Sequence, residues 1–78
     1  MATVRFFAQA KDAAGCRTAT FDGETVADVL RAASERFGSR LAQVIEISAI
    51  WCNGEFAEPG QRVGDADEVA VLPPVSGG

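Results

Sequence analysis

The chain has no histidine. That absence removes Ser-His and Cys-His pairs, and with them the commonest nucleophilic catalysis. Cysteine is scarce: Cys16 and Cys52 lack C-x-x-C spacing. A zinc site would need several carboxylates to complete its four ligands, so no metal site is expected. Nothing indicates an oxidising compartment that would pair the two thiols. No P-loop and no dinucleotide-binding glycine fingerprint occurs. The seven Lys and Arg are scattered, so no basic stripe exists to displace counterions from nucleic acid. No apolar run approaches the roughly 20 residues that span a bilayer. Met1-Ala2-Thr3-Val4-Arg5 has no basic region leading into an apolar one, unlike a signal peptide. The expectation is a cytoplasmic protein with neither a nucleic-acid nor a membrane partner.

What is present is enough for one small core. The 78 residues make one domain, and 47% of them are apolar. A domain of this size does not enclose a deep pocket of the kind most enzymes use. The net charge is −4 and the pI about 4.5, which suits a partner offering basic residues or simple solvation.

Periodicity places the elements. Thr3–Ala8 reads as a strand with Val4, Phe6 and Ala8 on one face and Thr3, Arg5 and Phe7 on the other. Gln9–Cys16 reads as a polar, alanine-rich connection. Arg17–Phe21 is a second strand with Ala19 and Phe21 inward, closed by a turn at Asp22-Gly23. Thr25 is a helix N-cap, and Val26, Val29, Leu30, Ala33 and Phe37 form one apolar stripe ended by Gly38. Ser39–Ile47 fits neither period cleanly and suggests a short helical turn before a strand at Ser48–Cys52. Asn53-Gly54 signals a two-residue hairpin, returning through Glu55–Ala57. Pro59-Gly60 and Gly64-Asp65 are turns. Glu68–Leu72 is the last strand, stopped by Pro73-Pro74. One helix on one face of a mixed sheet is an α+β two-layer fold. The carboxylates Asp65, Asp67 and Glu68 read as solvated turn residues.

The chemistry falls to the end of the chain. Residues 1–74 form the domain and residues 75–78 a flexible diglycine tail. A terminal carboxylate becomes an electrophile once a partner converts it to an acyl phosphate with ATP. It must then thread a narrow channel, where glycine offers no side chain to obstruct it. Pro73-Pro74 restricts the tail's root and lowers the entropy lost on insertion. An adenylated carboxylate can accept sulfur and become a thiocarboxylate.

The opening Val4-Arg5-Phe6-Phe7-Ala8 and the ending Asp67 to Gly78, with its Pro-Pro-Val-Ser-Gly-Gly, resemble the small subunit of molybdopterin synthase. The Asn53-Gly54-Glu55 hairpin also lies where that family places one. The resemblance implies a ubiquitin-like β-grasp fold. It implies adenylation of Gly78, with Gly77 as its companion, by an E1-like adenylyltransferase using ATP-Mg. A sulfurtransferase then supplies sulfur, and this chain binds no cofactor itself. The tail would enter the large subunit of a heterotetrameric synthase and donate sulfur to cyclic pyranopterin monophosphate. The chain would thus be the non-catalytic donor subunit of a sulfurtransferase complex. Two departures stand out. Lys11-Asp12 replaces a common Arg-Glu pair, and lysine lacks the bidentate fork. Ala66 replaces a glycine before the last strand, at a cost of about 1 kcal/mol if that turn needs positive φ.

In a β-grasp the first and last strands run parallel side by side. Phe7 and Leu72 then share the helix-free face as an apolar docking patch, and Trp51 has the parity to join them. Lys11, Pro74, Val75 and Ser76 complete the expected partner-binding residues. Cys52 reads as a core residue beside Ile50. Other carrier pathways (thiazole, cysteine or tRNA thiolation), a ubiquitin-like modifier and a plain interaction domain remain as alternatives.

Overall fold

The structure, a computed structural model, describes residues 1–74. The element order is β1 (Ala2–Phe6), α1 (Ala8–Ala14), β2 (Thr18–Phe21), α2 (Val26–Phe37), α3 (Ser39–Glu46), β3 (Ala49–Cys52), β4 (Glu55–Phe56) and β5 (Glu68–Leu72). The sheet order is β2-β1-β5-β3-β4. The two strands nearest the chain ends, β1 and β5, pair parallel at the centre, with Val4 opposite Val69 and Phe6 opposite Val71. All other pairings are antiparallel. This is the β-grasp arrangement that the family resemblance implies, within the α+β two-layer fold read from periodicity.

Strict alternation builds the core. Ala2, Val4 and Phe6 are buried, as are Val69 and Val71, while their neighbours Arg5 and Phe7 are exposed. Each fully buried valine or phenylalanine contributes roughly 1.5–3 kcal/mol. The helices supply the other half of the core through Ala10, Ala14, Val29, Leu30, Ala33, Leu41 and Val44. Phe37 lies edge-on to Phe6 at 5.7 Å and to Phe21 at 6.0 Å, pinning the end of α2 over β1 and β2.

The N-terminus of α2 forms as its sequence requires. Thr25 accepts a hydrogen bond from the Asp28 N–H at 3.2 Å. The free N–H groups of Val26 and Ala27 donate to the carbonyls of Gln61 and Pro59, both at 2.9 Å. The loop after β4 therefore caps the main helix.

Two segments differ from the sequence reading. Gln9–Cys16 is not a loop: Ala8–Ala14 is a helix. Its four alanines are strong helix formers, and Ala10 and Ala14 bury one narrow stripe. Gly15 ends it in the left-handed region at φ 76°, its N–H bonded to the Lys11 carbonyl at 2.8 Å. Ser39–Glu46 is a full two-turn helix, α3, not a single turn. Leu41, Val44 and Ile45 have helical spacing. Ile47 lies beyond the helix end and is exposed, so including it blurs the period.

The expected hairpin is present. Asn53 and Gly54 have φ of 52° and 85°, the positive pair a two-residue turn demands. Asp67 is more than a solvated carboxylate. It accepts from Asn53 Nδ2 and from the Gly64 N–H, both at 2.8 Å. The Asn53 side-chain oxygen accepts from the Glu68 N–H at 2.9 Å. This latch ties the hairpin to the start of β5. Ala66 has no positive φ, so the strain considered there is absent. Ala8 carries it instead, at φ 49°, where β1 turns into α1.

The latch gives stability a pH dependence. The Asn53 amide, and then the Gly64 N–H, hold the Asp67 carboxyl below its usual range. A lowered native pKa stabilises the fold above the unfolded value of about 3.9, and that contribution is lost as pH falls through the native value. The variant D67N should therefore melt below the parent at pH 7, with the difference narrowing below about pH 3.9. A melting-temperature difference that stays constant from neutral to strongly acidic pH would contradict the latch.

Candidate partner-docking face and the root of the tail

All three helices cover the face of the sheet that carries Val4, Phe6, Val69 and Val71. Among the described residues, no helix covers the opposite face. Register fixes what it displays. Arg5 lies opposite Ala70, Ala70 opposite Trp51, and Trp51 opposite Phe56. One row further along, Leu72 pairs with Ala49, and the Phe7 N–H donates to the Val71 carbonyl at 3.3 Å. Phe7 and Leu72 thus flank each other at the carboxyl end of the two central strands, as the sequence predicts.

The face is partly apolar and partly charged. Phe7 is 38% exposed, Phe56 75%, and Trp51 and Leu72 are half-buried. Trp51 and Phe56 rings lie 4.9 Å apart with a 35° tilt. The Arg5 guanidinium sits 5.8 Å from the Phe7 ring centre and 3.6 Å from Glu68. Arg5 therefore holds Phe7 from one side and contributes charge to an otherwise oily surface. Two aromatic residues of this size in water form a surface that protein partners commonly bury.

Phe56 escaped the sequence reading, although a signal for it exists. In a two-residue hairpin at Asn53-Gly54, Cys52 must face Glu55 and Trp51 must face Phe56. Both aromatics then occupy one sheet face.

The site residues separate into groups. Phe7, Leu72 and Trp51 come together on the open face. Pro74 is exposed at the end of β5. Lys11 stands on α1, exposed, beside Phe7 at the mouth of a cleft. Val75, Ser76, Gly77 and Gly78 lie outside the described residues, and so does the expected flexible tail. Cys52 is buried in the core as expected, and burial, aided by the Asp67 carboxylate, pushes its thiol up. It is a poor nucleophile. Cys16 is half-buried and, like Cys52, free. Among the described residues, no group of three His, Cys, Asp or Glu is placed to hold a metal. No helix there is long and apolar enough to cross a membrane.

A family model, the ThiS family, matches residues 4–78. The chain belongs to the ThiS family of sulfur carriers. SAMP1, small archaeal modifier protein 1, from Haloferax volcanii is 32% identical over 99% of this chain and 98% of its own, with a TM-score of 0.83. A chain in the complex of subunits 1 and 2 of molybdopterin-converting factor from Helicobacter pylori is 26% identical over 99% of this chain and 97% of its own, with a TM-score of 0.72. The BexX/CysO complex of Amycolatopsis orientalis contains a chain 20% identical over the full length of both, with a TM-score of 0.80, a likeness of fold. The ubiquitin-like β-grasp fold of this ThiS-family chain is thereby established.

Adjacent phenylalanines on opposite faces make the division testable. Phe6 is 2% exposed and Phe7 is 38% exposed. Phe6→Ala should cost about 3–5 kcal/mol of unfolding free energy. Phe7→Ala should cost less than about 1 kcal/mol, since it loses little beyond an exposed cation–π contact. Urea unfolding measures both, and equal losses would place Phe7 in the core and remove it from the docking face.

Proposed function

We propose that this chain is the sulfur-carrying small subunit of a molybdopterin synthase. The observation that carries the reading is the position of β5. This strand lies at the sheet centre and ends at Leu72-Pro73-Pro74, beside Phe7 on the open face. A partner seated on Phe7, Leu72 and Trp51 stands over the point from which the chain continues to Gly78. Docking and delivery of the terminal group then become one event, and the ordering entropy is lowered by the two prolines.

The chemistry follows in two steps. An E1-like adenylyltransferase binds the open face and its ATP-Mg. The Gly78 carboxylate attacks the α-phosphate, pyrophosphate leaves, and an acyl-adenylate results. A sulfurtransferase delivers sulfur at the sulfide level, which attacks the acyl carbon and expels AMP. The product is a thiocarboxylate. In the large subunit its sulfur bonds to cyclic pyranopterin monophosphate, water cleaves the acyl–sulfur bond, and the carboxylate returns for another cycle. The domain acts as handle and address, not as catalyst. Likeness to the chain from the Helicobacter pylori complex supports a partner of the large-subunit kind.

A second reading has its own support. SAMP1 of Haloferax volcanii, named a modifier, shares 32% identity with this chain. In that role the acyl-adenylate would yield to a lysine amine of another protein, giving an isopeptide bond and AMP.

Mass spectrometry of fragmented C-terminal peptides separates the readings. After incubation with ATP, a sulfur source and the host's E1-like enzyme, sulfur should replace one oxygen at Gly78. Fragmentation is needed because oxidation of Cys or Met adds nearly the same mass. An unmodified Gly78, with an enzyme competent on a control carrier, would refute the carrier function for this chain. Diglycine remnants on lysines of other proteins, without loss of molybdoenzyme activity on deletion, would select the modifier.

A further inference from the structure

The chain is acidic overall, yet three of its seven cations surround one cleft. Arg5 comes from β1, Lys11 from α1, and Arg17 from the residue before β2. With Phe6 and Phe7 they line a volume of about 530 Å³. Lys11 and Arg17 also line a neighbouring depression of about 370 Å³ together with Gly15 and Cys16. The two depressions form one basic trough along α1 and the β2 entry. Only Asp12 adds a carboxylate to its lining.

Most other cations of the chain are occupied. Arg31 faces Asp28 at 3.8 Å, and Arg62 faces Glu24 at 4.0 Å. The Arg36 guanidinium lies 5.9 Å from the Phe21 ring centre and 5.3 Å from that of Phe37. Within the trough Arg5 faces Glu68 at 3.6 Å, whereas Lys11 and Arg17, like Arg40 outside it, have no ion-pair partner among the described residues. A chain with eleven acids could have neutralised them and has not. Their placement repels like charges and adds nothing to the core.

The trough adjoins the docking face. Phe7 lines the cleft and also stands beside Leu72 on the open sheet. A partner covering Phe7 must therefore meet Lys11, Arg17 and Arg5 along one flank. The occupant should be a protein segment carrying several carboxylates. Nucleic acid is disfavoured, because three cations on a −4 chain form no phosphate-tracking stripe. A small anion is disfavoured because the described residues include no buried polar side chain to hold one.

We propose that the Arg5, Lys11 and Arg17 trough is the electrostatic half of the docking surface. It receives an acidic loop of the enzyme that activates the C-terminus. This rests on the carrier reading above. The net charge of the chain points to basic partners; the trough reverses that preference locally and sets the orientation of docking. Charge of this kind acts on encounter rate and on discrimination between partners.

The test pairs a double reversal, K11E/R17E, with a control of equal charge change away from the trough, R40E/R62E. Affinity for the host's E1-like activating enzyme is measured at about 0.05 M and 1 M salt. The Debye length falls to about 3 Å at 1 M, so exposed charge effects collapse there. K11E/R17E should bind about 10- to 100-fold more weakly at low salt, mostly through slower association, and within a few-fold of the parent at high salt. R40E/R62E should stay within about threefold of the parent. Equal weakening by both variants would assign the effect to net charge and overturn the proposal. Unchanged affinity of K11E/R17E, with adenylation of Gly78 intact, would overturn it while leaving the carrier reading in place. Failure of the parent itself to be adenylated would remove both. Inorganic phosphate shifting the backbone NMR signals of residues 5, 11 and 17, with enzyme affinity unaffected by reversal, would make the trough a small-anion site and overturn the proposal.

Discussion

The parallel pairing of β1 with β5 is the constraint on which the rest depends. These strands come from opposite ends of the chain and meet at the sheet centre. Parallel strands cannot be joined by a tight turn, so everything between them must be a crossover. Here that crossover includes all three helices and the other strands. Once Val4 faces Val69 and Phe6 faces Val71, the alternation of both strands is locked. A slip of one residue would put Arg5 into the core and Phe6 into water. The core valines therefore set the geometry of the docking face without touching it.

On the proposed reading, the same pairing aligns address and cargo. Because β1 and β5 run in one direction, their carboxyl ends lie together. Phe7 continues from one and Pro73-Pro74 from the other. The Asn53–Asp67 latch fixes the far end of β5, where the Asp67 carbonyl also accepts from the Thr3 N–H at 3.2 Å. The strand is held at its start by hydrogen bonds and along its length by two neighbours. Ala8 pays a local cost at positive φ so that α1 can fold back directly after Phe7. That return brings Lys11 beside Arg5 and Arg17. This strained turn lies next to the candidate docking surface, and it lets one aromatic residue border both the apolar face and the basic trough.

Much of this was legible in the sequence where a single period ran unbroken. The strand faces at Val4/Phe6 and Val69/Val71, the stripe of α2 with its Thr25 cap, and the Asn53-Gly54 turn each carried one clear signal. The helix at Ala8–Ala14 was hidden because its buried stripe consists of alanines, which register weakly beside Gln9, Lys11 and Asp12. The second short helix was obscured by Ile47, an exposed apolar residue outside it. Phe7 and Leu72 were found by parity. Phe56 required combining hairpin register with parity, and the basic trough could not be read at all. Arg5, Lys11 and Arg17 are unremarkable when spread over thirteen positions of sequence; only the turn at Ala8 gathers them.

A carrier of this size has a particular selection problem. The reactive group proposed for it, a glycine carboxylate, has no side chain and so cannot identify itself to a partner. Discrimination must come from the folded surface, and an apolar patch alone discriminates poorly, since any oily surface of suitable shape will bury it. Placing charge beside the patch changes this. A wrong partner that covers Phe7 would strand Lys11 or Arg17 against apolar or basic groups, at a desolvation or repulsion cost, while a correct one supplies carboxylates. On the proposed reading, this chain keeps its chemistry in one terminal group and its address in a few exposed side chains. On this argument, differences between carrier pathways should be sought around Phe7 and α1, where the chain can change charge without disturbing the β1–β5 pair.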